Sequence, residues 1–183
     1  DRITFTSNIE RTTDAWNGTL DLGITGIQVA AGPLHIQQGS LYLPMQMNSD
    51  QHSGRLGLRN PAQVKVGKMN PIDTLNFKHS LGISIPQADF AWTKHSQGLA
   101  LKHDITVIPT TFTLLATQEK SSPLEVQIQP GKMTLHGKLD ANKQYQGQFA
   151  IQDAAVLLPQ SHVQLQDISA HLHLGATAAE STA

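Results

Sequence analysis

The chain of 183 residues contains no cysteine. Disulfides, thiolate nucleophiles and cysteine-based metal sites are therefore excluded. Aromatic residues are only 5% and apolar residues 39%, a thin supply for a tightly packed sandwich core. Charged residues are also scarce at 15%, and the net charge of −1 gives no strong electrostatic pull toward nucleic acid. No apolar run approaches the ~20 residues that span a bilayer as a helix, and no signal-peptide pattern is present. Catalytic motifs are missing as well. Ser80 and Ser96 follow His79 and His95 without a Gly-x-Ser-x-Gly elbow, and Gly23-Ile24-Thr25-Gly26 lacks the spacing of a phosphate loop. The expectation is a non-enzyme with no cofactor and no metal.

What the chain has in abundance is alternation. Leu41-Tyr42-Leu43-Pro44-Met45-Gln46-Met47, Leu124-Glu125-Val126-Gln127-Ile128-Gln129, Met133-Thr134-Leu135-His136 and Ala170-His171-Leu172-His173-Leu174 all place apolar and polar residues in turn. Successive side chains of a strand point to opposite faces, so each run makes one face apolar and the other polar. Strand candidates fall at 2–6, 15–29, 34–38, 40–47, 55–59, 62–67, 74–85, 88–94, 98–108, 110–118, 124–129, 132–139, 144–151, 155–158 and 162–174. Asn60-Pro61, Asn70-Pro71 and Pro130-Gly131 are turns, because proline presets φ and the residue before it avoids the helical region. Asp140-Ala141-Asn142-Lys143 reads as a hairpin loop. Asn17-Gly18 fits a tight hairpin or a bulge in a continuous strand. Asn17-Gly18-Thr19 also spells a glycosylation acceptor, and the turn or bulge is preferred. The one helix candidate, at 70–75, is at most a turn or two.

Apolar runs that close on proline recur at Leu43-Pro44, Ile85-Pro86 and Leu158-Pro159, which suggests a strand, corner, strand unit in a long meander. In Val163-Gln164-Leu165 the apolar residues share one face. Gln166-Asp167 then resets the phase before Ile168, Ala170, Leu172 and Leu174, as a bulge does when it bends a strand and keeps its apolar face on one side. The fold expected is all-β: an extended, twisted antiparallel sheet curled into a half-open groove or flattened barrel, with very little helix. It forms a single domain over 1–174, followed by a disordered tail or linker at 175–183. The chain begins in strand rhythm at Asp1 without methionine, which suits a segment of a longer protein.

The stretches Pro130–Gly137, Tyr145–Pro159 and Val163–Leu174 resemble the repeating β-groove segments of the large Gram-negative envelope proteins related to AsmA, TamB and YdbH, with YdbH-like proteins as the first choice. The resemblance spans about 45 residues, 130–174, and carries no catalytic residues. It implies a periplasmic protein tethered to the inner membrane through other parts of its chain. Such a protein shields phospholipid acyl chains passing between membranes, works with envelope membrane proteins, serves outer-membrane biogenesis and does not bind nucleic acid. The lining expected on this reading is Ile83, Ile85, Leu99, Leu101, Leu135, Phe149, Leu165 and Leu172, forming a continuous apolar concavity.

Other groups have functional and structural readings side by side. His171 and His173 face one side of a strand and invite a zinc ion, but no third ligand is spaced for it, and solvent exposure is the preferred reading. The pairs Lys78-His79, Lys94-His95 and Lys102-His103 would meet phosphates if they gathered on one rim, while as strand-end residues they need no ligand. The region 51–110 is mildly basic between acidic flanks, which suits a solvated face better than a headgroup site. Trp16 and Trp92 support the alternative function, a β-sandwich adhesin or carbohydrate-binding module with tryptophan platforms. Met45 and Met47 share a face as adaptable lining of a core or a groove.

Overall fold

The computed structural model describes residues 2–31, 34–70, 75–78, 80–96, 98–118 and 121–175. Fourteen strands form one sheet: β1 (Arg2–Arg11), β2 (Ala15–Ala31), β3 (Leu34–Asp50), β4 (Ser53–Leu58), β5 (Ala62–Val66), β6 (Lys68–Asn70), β7 (Leu75–Phe77), β8 (Leu81–His95), β9 (Gly98–Pro109), β10 (Phe112–Gln118), β11 (Ser121–Gln129), β12 (Lys132–Leu139), β13 (Tyr145–Leu158) and β14 (Val163–Gly175). A single 3-10 turn, Pro159–Ser161, joins the last two.

The pairing reduces these strands to nine long antiparallel rungs. Strands β4, β5 and β6 all lie antiparallel to successive parts of β3. Strands β7 and β8 lie along β10 and β9. In turn β9 and β10 lie along β12 and β11, and both of those pair with β13. The rungs are thus β1, β2, β3, β4–β6, β7–β8, β9–β10, β11–β12, β13 and β14, each beside its neighbour in sequence. This is an up-and-down meander, the antiparallel all-β class expected from alternation. The principal contacts between elements all join adjacent rungs, and no second layer of strands or helices packs on the sheet among the described residues.

Turn chemistry follows the sequence at the hairpins. In the β3–β4 hairpin, Asp50 Oδ1 accepts the backbone N–H groups of His52 (2.7 Å) and Ser53 (2.6 Å). Those two bonds, with the Ser53 hydroxyl, hold the Asp50 carboxyl below its ordinary pKa. Asp140 Oδ1 accepts the N–H groups of Asn142 and Gln144 in the expected loop before β13.

Two local expectations are corrected. Asn17-Gly18 forms neither hairpin nor bulge: Gly18 lies inside β2, opposite both Ile9 and Met47, and its missing side chain admits β1 closely. Pro44 does not end a strand. It sits within β3, fully buried, where its lack of an N–H falls near the β4–β5 break, and Arg59 N donates to its carbonyl at 2.9 Å. Of the helix candidate, Asn70 closes β6 and Leu75 opens β7, while 71–74 lie outside the described residues. The tail expected at 175–183 also lies outside them, apart from Gly175, which ends β14.

A band of phase slips crosses the rungs. In β2 it falls between Ile24 and Ile27, with Gly26 at φ 76. In β3 it falls at Gln38, φ 58. In β8 the two residues Pro86 and Gln87 lie between Ile85 and Ala88, where the register with β9 shifts. Thr110-Thr111 separate β9 from β10, and Pro130-Gly131 separate β11 from β12. In β13 and β14 the slips are at Asp153 (φ 58) and Asp167 (φ 54), both in the left-handed region that Asp tolerates better than most residues. Gly131, at φ 76, has no room for a side chain: a Cβ there would strike the Gln152 carbonyl. The reset expected at Gln166-Asp167 is therefore one member of a series. After each slip the apolar residues return to the same side.

Candidate functional site

Directly opposed residues of an antiparallel pair share a face, so the register defines one apolar surface from edge to edge. Starting at Leu172, the row runs through Phe149, Leu135, Ile105 and Ala88. A second row joins Tyr145, Leu139, Leu101, Trp92, Gly54, Ser49, Trp16 and Arg11 across every rung but β14. Beyond the slips, Leu165, Val156, Ile128 and Phe112 stand together, and Ile83, Val64, Leu41, Ile24 and Ile3 continue the surface to the other edge. All eight residues expected as lining, Ile83, Ile85, Leu99, Leu101, Leu135, Phe149, Leu165 and Leu172, lie on this face. No carboxylate stands on it among the described residues, and its cations, Arg11 and Lys94, stand at one end.

Nothing seals this surface into a core. The side chains are half-buried by their neighbours in the middle rungs. They are open at the edges, where Ile3 is 71% and Leu165 59% exposed. Among the described residues the buried apolar side chains are Ala62, Ala150 and Pro44, with no large aliphatic or aromatic side chain fully buried. The accessible surface is 12393 Å², whereas a compact monomer of this mass presents about 8,600 Å². The tightly interdigitated core of a sandwich is thus missing from the described residues. A cavity of about 740 Å³ opens on the opposite, polar side, among Lys102, His136, Lys138 and Gln148.

One polar pair interrupts the apolar face. His103 Nε2 and the Tyr145 hydroxyl are 2.9 Å apart, with their rings stacked at 5.7 Å. Phe90 lies on the other side of His103, at 6.5 Å between ring centroids. Gly137 and Gly147 make room for this cluster, since a Cβ on either would land on the tyrosine hydroxyl. A glycine inside a strand can signal such a close approach, but neither Gly137 nor Gly147 was singled out for it in the sequence. Their partner His103 lies too far along the chain to be read from it.

The remaining candidates disperse. Lys78 pairs with Glu125 at 3.2 Å, His79 lies outside the described residues, and Lys94-His95 end β8 far from Lys78. Lys102 and His103 point to opposite faces. The three Lys-His pairs share no rim. His171 and His173 both face the polar side, opposite Ala150 and Gln148. No group of three metal-ligating side chains is found among the described residues. Trp16 and Trp92, far apart in sequence, share one transverse row, with Arg11 over the Trp16 ring at 5.2 Å and Trp92 lying against Gly54.

No protein-family model, curated protein or solved structure matches this chain.

Proposed function

We propose that this chain shields phospholipid acyl chains on its apolar face, as a periplasmic element of lipid transport between the membranes of a Gram-negative envelope. The observation that carries the reading is an apolar surface free of carboxylates, kept on one side of nine rungs by repeated phase slips, without a packed layer to cover it among the described residues. A sequence that only needed a stable sheet would have no reason to correct its phase at every bend. An acyl chain suits the surface because it asks for area rather than for placed polar groups. Each CH₂ kept from water contributes ~0.8 kcal/mol, so a sixteen-carbon tail gains roughly 12 kcal/mol over a continuous lining. A rung of fifteen residues such as β8 is about 50 Å long, ample for such a tail. The resemblance of Pro130–Gly137, Tyr145–Pro159 and Val163–Leu174 to β-groove envelope proteins agrees with this use, in which the chain acts without a catalytic group and alongside envelope membrane proteins.

Native mass spectrometry of the purified chain, followed by extraction and identification of bound lipid, tests the proposal. Phospholipid adducts released on organic extraction are expected. A lipid-free protein that also fails to take up phospholipid from mixed micelles would overturn the reading. The second reading, carbohydrate binding, draws on the shared row of Trp16 and Trp92 and the 45% exposure of Trp16. It requires oligosaccharide to quench tryptophan fluorescence, which acyl-chain shielding does not.

A further inference from the structure

We infer a second site, on the polar face, that takes a phosphate monoester between Lys102 and Lys138. The two lysines are directly opposed in the β9–β12 register. Such pairs hold their Cβ atoms about 4.5–5.5 Å apart, and like charges in that position destabilise a sheet. Both line the cavity of about 740 Å³, within the ~300–1,000 Å³ range typical of small-molecule sites.

Of the other charged groups in the cavity, Arg55 and Asp89 are matched with each other. Arg55 binds Asp89 through Nη2 at 2.8 Å and Nε at 3.1 Å, and His136 Nδ1 lies 3.0 Å from Asp104 Oδ1. Neither Lys102 nor Lys138 is in an ion pair among the described residues. The two lysine ammoniums therefore stand side by side in a concave site, whose other carboxylate, Asp104, has beside it only His136, a cation when protonated. A phosphate monoester, with about −1.5 to −2 charge at neutral pH, balances the two lysines. Ammonium groups on flexible stems converge on such an anion as point charges. Gln146, opposite Lys138, supplies an amide on the same row. The phosphate has two possible sources, a free small molecule or the headgroup of a lipid such as phosphatidic acid. This site lies on the opposite face from the acyl-chain surface, and either inference stands if the other fails.

Calorimetric titration of the whole chain with glycerol 3-phosphate at constant ionic strength tests it. A parallel arm measures co-sedimentation with phosphatidylcholine vesicles containing phosphatidic acid, against phosphatidylcholine alone. Saturable binding of the free ester assigns a soluble ligand, and binding confined to the phosphatidic acid vesicles assigns a headgroup. Lys102→Gln and Lys138→Gln are each expected to weaken binding about tenfold, the loss of one charge-assisted contact. Lys132→Gln, on the same face of β12 but outside the cavity, should leave it unchanged. Without phosphate, Lys102→Gln should not lower the melting temperature, because it removes repulsion. Absence of binding in both arms overturns the site. An equal loss in Lys132→Gln, or wild-type affinity in both cavity variants, does so too.

Discussion

The two faces of this sheet are built by different rules. On the apolar face, Leu, Ile, Val, Phe and Met replace one another from rung to rung, and what persists is continuity: an apolar side chain at nearly every register position and no carboxylate. On the polar face, individual residues matter by position, as with Asp89 under Arg55, Asp21 under Arg59 and Lys102 opposite Lys138. The first rule suits a ligand recognised by area, and the second suits groups recognised by charge and geometry. The difference also concerns tolerance. A volume change on the apolar face leaves the surface apolar, whereas one charge breaks it.

The largest effect is therefore expected from a charge on the apolar face. Leu135→Asp and Leu172→Asp should abolish photocrosslinking to phospholipid while circular dichroism still shows a folded sheet. A carboxylate there either stays ionised without a partner or draws in water, and both break the lining. Leu172 is 54% exposed on the edge rung, so its replacement threatens the fold least. Gln164→Asp, on the other face of the same rung, should crosslink as wild type does. If both lining variants crosslink normally, the acyl-chain proposal fails and the carbohydrate reading takes its place.

The apolar face was legible because its signal is local. Alternation needs only a few consecutive residues, and the reset at Gln166-Asp167 shows within Val163–Leu174. The eight lining residues shared a face for that reason. What the sequence concealed depends on register between distant segments. Lys102 meets Lys138 only after β9 and β12 align, and His103 meets Tyr145 only when β13 pairs with β12 as well. Pro44 misled because proline usually ends pairing, and its place beside the β4–β5 break could not be foreseen from Leu43-Pro44-Met45. The concavity among Lys102 and Lys138 was hidden too, since curvature follows from slips summed over many rungs.

Gly137 offers a sharper test of the one place where the apolar face adopts the other rule. Gly137→Ala puts a methyl group onto the Tyr145 hydroxyl and His103 Nε2. The rings must part, and the expected cost is about 1–3 kcal/mol by urea denaturation. Tyr145→Phe removes only the hydroxyl and should cost less, about 0.5–1.5 kcal/mol. A neutral Gly137→Ala would mean that the tyrosine does not rest on this glycine in solution.

A smaller effect is expected from the ion pair on the polar face. Arg55 reaches Asp89 with two nitrogens, but its side chain is 65% exposed, so water screens the attraction. Asp89→Asn should cost less than about 1 kcal/mol, and the cost should shrink in high salt. A cost that persists at high salt would show that Asp89 acts through packing against Gly57 rather than through charge.

The smallest effect is expected at His171 and His173, and it separates solvated polar positions from placed ones. Both are exposed on the last rung, opposite Ala150 and Gln148, and no carboxylate stands across from either. Two imidazoles at alternate positions of one strand supply at most half of a tetrahedral zinc set. Replacing both with Gln should cost under ~0.5 kcal/mol, as for ordinary surface positions. Treatment with a chelator should leave the melting temperature of the wild type unchanged. If the chelator lowers it and the double variant no longer responds, the pair holds a metal, and the polar face then carries a third placed group beside the ion pairs and the lysines.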